Sequence, residues 1–187
     1  MTSAKHSRNS DYLRLMRALL LVLFALTATS FTAAAQQPHI VHVFPDDMMR
    51  PQEMICHMQD GVIRMGNHWR NPVTLTLHAR KVFQGYSTSS FDLLYTIADD
   101  MGRIQLRRGE GHWSDDVLYT WHEGAVYIGD SSFGLDLVYT FRPNPLDPQL
   151  LELYKEDSRS RFDRLCVFAG QPTPDDLLVL LLAQGLL

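Results

Sequence analysis

Two histidines and an aspartate near the middle of the chain are the side chains best suited to binding a metal ion. His112 and His122 flank a strand-like segment, and Asp116 lies between them. Two imidazoles and a carboxylate are a common ligand set for a catalytic metal. These residues are the candidate metal site, and they support one alternative function, a metal-dependent enzyme or a metal carrier. Val126 stands where a His-Glu-x-x-His motif starting at His122 would need its second histidine.

Other chemistry-bearing patterns are absent from the sequence. It contains no Cys-x-x-Cys, no Gly-x-Ser-x-Gly, no phosphate-binding loop and no dinucleotide glycine pattern. We therefore predict no catalytic residue and no cofactor, and we expect a protein that binds rather than catalyses.

A repeated phrase supplies the candidate ligand-binding residues. Asp, two aliphatic residues, Tyr, Thr and a large apolar residue recur in that order at 92–97, 116–121 and 136–141. Alternate side chains of a strand share a face, so the tyrosines and the large apolar residues lie together. Such a surface suits a small apolar or sugar-like ligand, or it forms an ordinary core. The candidate ligand-binding residues are Tyr95, Tyr119, Trp121, Tyr139 and Phe141.

The spacing of the repeats predicts the fold. Tyr95, Tyr119 and Tyr139 are 24 and 20 residues apart, which leaves room for one return strand between copies. A sheet with one strongly apolar face closes on itself or packs against a second layer. We therefore predict a mainly β fold, an antiparallel meander closed as a small barrel or sandwich. The predicted strands are 40–44, 62–65, 73–80, 92–97, 103–107, 116–121, 125–128, 136–141 and 161–168.

Two helices are predicted in the second half of the chain. Asp147 and Pro148 resemble a cap and first turn, which predicts a short helix to about Glu156. Thr173, followed by a proline and two acidic residues, begins a C-terminal α-helix over the nearly all-aliphatic segment Leu177–Leu187. A helix that is apolar on every side is either buried or contacts a partner. Burial is favoured; docking through this helix would indicate an envelope structural or assembly factor.

The first 35 residues are predicted to be a secretory signal peptide. Positively charged residues precede an apolar run of 11 residues at 18–28, and Ala33, Ala34 and Ala35 provide a small-residue cleavage site. The run is shorter than the roughly 20 residues that span a membrane. We expect cleavage to leave a single β-rich domain, residues 36–187, with no membrane span, in the periplasm or outside the cell.

Export changes the expectations for charge and cysteines. The segment 1–35 carries four of the 17 basic and one of the 21 acidic side chains, so 36–187 carries 13 and 20. This acidic domain is not expected to bind nucleic acid. An even number of cysteines in an exported chain predicts a disulfide, here between Cys56 and Cys166.

Two tryptophans share similar surroundings. Trp69 and Trp113 each follow a Gly-His or Gly-Asn-His segment and precede a strand. We expect them to form a rim at one end of the sheet. Taken together, these patterns predict an exported, non-enzymatic binding protein for a protein partner or a small apolar ligand. Its oligomeric state is left open.

Overall fold

A computed structural model describes residues 38–187. The predicted signal peptide, residues 1–35, lies outside the described residues. The strands are β1 (Ile40–Phe44), β2 (Cys56–Gln59), β3 (Val62–Met65), β4 (Val73–His78), β5 (Lys81–Gln84), β6 (Leu93–Asp100), β7 (Arg103–Arg108), β8 (Val117–His122), β9 (Ala125–Ile128), β10 (Leu137–Pro143), β11 (Leu150–Lys155) and β12 (Arg164–Ala169). One α-helix follows them within the described residues, α1 (Pro174–Ala183).

The twelve strands form a closed antiparallel barrel. Each strand pairs with its neighbours in sequence, and β1 pairs with β12 through His42 and Ala169, Val43 and Phe168, and Phe44 and Val167. Closure leaves no free edge for another strand to join. The prediction of a mainly β, antiparallel meander that closes on itself, with a C-terminal helix, is therefore confirmed.

Helix α1 lies in the lumen of this barrel. It contacts β3, β4 and β7. Because β7 is not a neighbour of β3 or β4 in the sheet, one helix reaches all three strands only from inside the barrel. Its central residues, Leu177 to Leu181, are between 0% and 2% exposed and belong to the same apolar core as the inward-facing strand residues. Burial explains why this helix is apolar on every side. Within residues 38–187, no helix is long and apolar enough to cross a membrane.

The repeated phrase has two structural roles. Its aspartate does not belong to the strand but ends a single 3-10 turn that precedes it, as at Ser90–Asp92 and Ser114–Asp116. Its threonine hydroxyl donates a hydrogen bond to the carbonyl oxygen that follows the next strand. This bond is present in all three copies, from Thr96 to Gly109, Thr120 to Gly129 and Thr140 to Glu156. Thr76 of β4, which lies outside the repeat, makes the same bond to Gly85.

The predicted helix from Asp147 to about Glu156 is wrong, because this segment contains strand β11. Leu153 faces the core while Glu152 and Tyr154 face the outer wall, as the period of two in a strand requires. The Asp-Pro pair instead belongs to the connection between β10 and β11, where the N–H of Leu150 donates to the carbonyl of Asp147. Pairing with β10 and β12 therefore overrides a local helix-start pattern.

The structure does not support the predicted disulfide, because Cys56 and Cys166 are both free and buried. Val43 of β1 pairs with Cys56 on one side and with Phe168 on the other, so β1 separates the two cysteine strands. Two strand spacings are roughly 9–10 Å, whereas a disulfide needs Cα atoms within about 7 Å. Burial raises the pKa of the Cys56 thiol to about 12 and also raises that of Cys166, which keeps both thiols protonated.

The two ends of the barrel are built differently. At one end, which we call the turn end, four hairpins close with two-residue turns in which both residues have φ between +48° and +85°. These are the type I′ values that match the twist of paired strands. The turns are Asp60-Gly61, Ala79-Arg80, Met101-Gly102 and Glu123-Gly124. At the other end, the loop end, six longer connections join the strands: 45–55, 66–72, 85–92, 109–116, 129–136 and 156–163.

Candidate functional site: an apolar rim at the loop end

The structure does not bring the predicted metal ligands together. Asp116 precedes the first residue of β8 and His122 is its last, and a six-residue strand spans about 20 Å. The carboxylate of Asp116 instead accepts the N–H of Trp113 at 3.1 Å. Across residues 38–187, no group of three or more His, Cys, Asp and Glu side chains could hold a metal ion. The predicted site at His112, Asp116 and His122 therefore does not form in the described structure.

The predicted ligand-binding residues do come together, on the inner wall of the barrel. Trp121 and Phe141 are in ring contact with centroids 4.9 Å apart, and Tyr95, Tyr119 and Tyr139 pack against the same core. The space between them is occupied by residues that follow β12. The hydroxyl of Tyr139 donates to the carbonyl of Leu186 at 2.8 Å. Burial, the neighbouring Tyr119 and Cys166 raise the pKa of Tyr139.

A buried ionic cluster lies on the outer wall where β11 meets β12. Glu152 accepts hydrogen bonds from Arg164 at 2.6 Å, Tyr154 at 2.7 Å and Asn144 at 3.0 Å. Arg164 also contacts Asp47, and this hydrogen bond lowers the pKa of that carboxyl group. Each charge is thus matched by a partner. The cluster fixes the first loop-end connection to the wall and leaves no free carboxylate for catalysis at Glu152.

Four loop-end connections are built on one hydrogen-bonded turn. In three of them a serine hydroxyl donates to the carboxylate five residues later: Ser87 to Asp92 at 2.6 Å, Ser131 to Asp136 at 2.5 Å, and Ser158 to Asp163 at 2.6 Å. In all four, the backbone N–H of that aspartate donates to the carbonyl three residues earlier, at 3.0–3.1 Å. These bonds give the four loops the same local shape.

The fourth of these loops has a glycine in place of the serine. A Cβ atom on Gly111 would lie 2.4 Å from the Cβ of Asp116, which is closer than two non-bonded carbon atoms can approach. The missing hydroxyl is replaced by the N–H of Trp113, which donates to the same carboxylate. The close approach therefore explains why this loop departs from the serine pattern.

These loops hold large apolar side chains out in the solvent. Besides Tyr86, whose ring carries a polar hydroxyl, seven such side chains, at least one from each of the six connections, are between 65% and 100% exposed. We call them the apolar rim: Met48, Trp69, Phe91, Trp113, Phe133, Leu135 and Phe162. The expectation that Trp69 and Trp113 form a rim at one end of the sheet agrees with this arrangement.

The loops that carry the rim are acidic. The six connections contain twelve Asp and Glu residues and four Lys and Arg residues. Some acidic groups are neutralised by strand residues, such as Glu110 by Lys81 at 2.9 Å and Asp130 by Arg103 at 2.9 Å. The net electrostatic field at this end is negative, so the exposed apolar side chains are surrounded by acidic residues.

Sequence reasoning found only part of the rim. The segments 87–92 and 158–163 share the pattern Ser-x-Ser-x-Phe-Asp, and 131–136 shares its first serine and its aspartate. That repeat was visible in the sequence, but polar residues around a phenylalanine are typical of any turn. The antiparallel order of the strands places all six connections at one end, and closure of the barrel arranges them in a ring.

The fold and the site define a class of protein: a closed twelve-stranded barrel with a filled lumen and six loops presented at one end. The model of the family described as "6-fold beta flower protein" matches residues 46–173. The chain belongs to this family, and the match extends from the first loop-end connection to the N-cap of α1. No curated protein matches the chain.

One solved structure is similar to this chain. It is an X-ray structure of a protein from Arabidopsis thaliana, with 16% sequence identity and a TM-score of 0.37. The similarity covers 79% of this chain and 88% of the Arabidopsis chain.

Proposed function

We propose that this is an exported, non-enzymatic binding protein that docks a protein partner through the apolar rim. The observation that carries the proposal is the rim itself. Seven large apolar side chains stand in water on loops whose shape is fixed by hydrogen bonds. Burying one such side chain contributes about 1.5–3 kcal/mol, and the fold forgoes that contribution at each rim position. Docking to a partner buries these side chains and recovers that free energy.

The composition of the rim suits a protein interface. Aromatic residues and methionine are enriched in the cores of such interfaces, and tryptophan and tyrosine are frequent among the residues that dominate affinity. The rim contains two tryptophans and three phenylalanines within one end of a small barrel. Loops that are already ordered lose little conformational entropy on binding, which favours affinity.

The charge of the loops selects the kind of partner. Twelve acidic and four basic side chains surround the rim. Complementary charge increases the association rate and disfavours partners of like charge. The partner is therefore a protein whose docking surface has apolar pockets bordered by Lys and Arg. Its affinity falls as the salt concentration rises, because salt screens exposed charges.

Export is part of the proposal and rests on the N-terminal sequence. Cleavage after Ala35 leaves a protein that starts at Gln36. Intact-mass analysis of the protein recovered outside the cytoplasm is expected to give the mass of residues 36–187. A mass that includes residues 1–35 would contradict export by this route.

The docking proposal is tested with a rim variant and a matched control. The rim variant carries Phe91→Ser, Phe133→Ser and Phe162→Ser. The control carries Met101→Ser and Leu146→Ser, which are 99% and 82% exposed and lie at the turn end. Each tagged chain is cross-linked in its own secreting cell, the attached protein is identified, and its purified form is titrated against the three chains by calorimetry.

We expect the rim variant to bind the purified partner at least a hundredfold more weakly than the wild type. The control is expected to bind within twofold of the wild type. Equal affinity of the rim variant and the wild type, or a loss confined to the turn-end control, would contradict the proposal.

A further inference from the structure

The mouth of the lumen at the loop end is filled by the residues that follow α1. Gly185 has φ +70°, and its N–H donates to the carbonyl of Leu182. The N–H of Leu186 donates to the carbonyl of Leu181 at 3.0 Å. This pair of bonds is a Schellman motif, which ends the helix and turns the chain toward the wall. Leu186 and Leu187 thereby come to lie at the mouth.

These two leucines are held less firmly than the helix before them. Leu177 to Leu181 are buried, whereas Leu186 and Leu187 are half-buried and Gly185 is exposed. The wall holds this segment through the hydrogen bond from the Tyr139 hydroxyl to the Leu186 carbonyl. Local opening starts where few apolar contacts are made, so the mouth opens more easily than the middle of the lumen.

Polar groups at the mouth remain free to bind. Within residues 38–187, no buried side-chain polar atom lacks a hydrogen-bond partner. In the part of the chain that the structure describes, the hydroxyls of Tyr95 and Tyr119 have no hydrogen-bond partner, so they are accessible to solvent. The mouth is therefore filled by the side chains of Leu186 and Leu187 and lined by aromatic rings, and the hydroxyls of Tyr95 and Tyr119 can donate hydrogen bonds to a ligand.

We propose that the loop-end mouth of the lumen is a binding site for an aliphatic chain with an uncharged, oxygen-rich head, such as a fatty alcohol or ester, and that Leu186 and Leu187 occupy this site in its absence. The two leucine side chains carry as many carbon atoms as an octanoyl chain. A ligand of this class places its methylene groups where the leucines lie and accepts hydrogen bonds from Tyr95 and Tyr119. This site is separate from the apolar rim and does not depend on the docking function.

Fluorescence titration of the full chain with the uncharged methyl ester of dansylundecanoic acid tests the proposal. The double variant Leu186→Ala, Leu187→Ala is expected to bind this probe at least tenfold more tightly than the wild type. Tyr139→Phe, which removes only the hydroxyl that holds Leu186, is expected to bind severalfold more tightly. Leu146→Ala, an exposed leucine at the turn end, is expected to bind like the wild type. Octanol is expected to displace the probe.

Equal probe affinity in the wild type and the Tyr139→Phe variant would overturn the proposal, even if the double variant fails to fold. An equal gain in Leu146→Ala would also overturn it, because the probe would then report general apolar surface. Adding Tyr95→Phe and Tyr119→Phe to the Tyr139→Phe variant is expected to weaken binding. Undiminished affinity in that variant would contradict the assigned head-group contacts. The rim variant serves as a further control and is expected to leave probe binding unchanged.

Discussion

The turn end and the loop end of this barrel join the same strands in opposite ways. Four hairpins at the turn end close with two residues, and each backbone is held in the left-handed region. The loop end uses seven to eleven residues for each connection. Hydrogen bonds within the loop-end connections hold apolar side chains exposed to solvent. Stability therefore constrains the turn end closely, whereas the residues exposed at the loop end are available for function.

The largest effect is expected at the turn end, where substitution of Gly61 should lower the free energy of unfolding. An added Cβ would lie 2.3 Å from the backbone carbonyl oxygen of Leu77, and φ is +80°. We expect Gly61→Ala to lower the free energy of unfolding by about 3 kcal/mol, because left-handed strain adds to a backbone clash. Gly102→Ala has a similar φ but nothing within 4 Å of the added atom, so it isolates the strain and is expected to cost about 1 kcal/mol. Urea unfolding of both variants measures the difference; equal losses would contradict the clash.

A smaller effect is expected from the carboxylates that shape the rim loops. Asp163→Ala removes the acceptor of the Ser158 hydroxyl in an exposed loop. We expect a loss of about 1 kcal/mol in the free energy of unfolding, together with weaker partner binding, because Phe162 is no longer held in position. Glu156→Gln in the same connection is the control for the loss of a negative charge, because that side chain is 68% exposed and lies 4.0 Å from Lys155. Partner affinity that falls equally in both variants would indicate that charge, and not loop shape, is what matters.

His42 lies on the outer wall between the two ends, and we expect it to make the free energy of unfolding depend on pH. Burial and the neighbouring His57 lower the pKa of His42 below 6.5. As the pH falls below about 6.5, the unfolded chain binds a proton that the folded chain resists, so the free energy of unfolding falls until the folded pKa is passed. Urea unfolding at about pH 7.5 and about pH 5.5 tests this expectation. His42→Gln should reduce the loss; an unchanged loss in that variant would assign it to other groups.

The smallest expected effect is a gain at the turn end. Ala79 and Arg80 form a type I′ turn without asparagine or glycine, although both have positive φ. Ala79→Asn is expected to raise the free energy of unfolding by about 0.5 kcal/mol, because asparagine tolerates this conformation better. The variant keeps Arg80, which contacts Asp175 of α1 at 2.9 Å. Thermal unfolding measures the gain, and a clear loss would show that this turn does not have the assigned conformation.

Local patterns in the sequence predicted much of the barrel. Alternation identified β4, the repeated phrase located β6, β8 and β10, and the cap at Thr173 located α1. Segment 147–156 was predicted incorrectly because Asp147 and Pro148 resemble a helix start, while pairing with distant strands decides its structure. Short β2 and β5 were missed because neither has a glycine at both ends, unlike the equally short β3 and β9.

The candidate sites depended more strongly on contacts between distant residues. The even number of cysteines in a chain predicted to be exported suggested a bond between Cys56 and Cys166, but only the pairing of β1 with β12 reveals that β1 separates them. The tyrosine face was identified correctly as one surface, while its filling by Leu186 requires the helix to enter the lumen. The apolar rim follows from the antiparallel order of the strands and from the exposure of the loop side chains, and no local pattern specifies that exposure.

The central claim is that the loop end of the barrel, and not the turn end, docks the partner. A photoreactive benzoylphenylalanine placed at Phe91 or Phe162, and separately at Met101, tests it directly in the cell that produces the protein. All three positions are at least 97% exposed, so they have equal access to solvent. The account predicts an adduct with the same protein from Phe91 and Phe162, and none with that protein from Met101. An adduct with that protein from Met101, or none from either rim position, would contradict it.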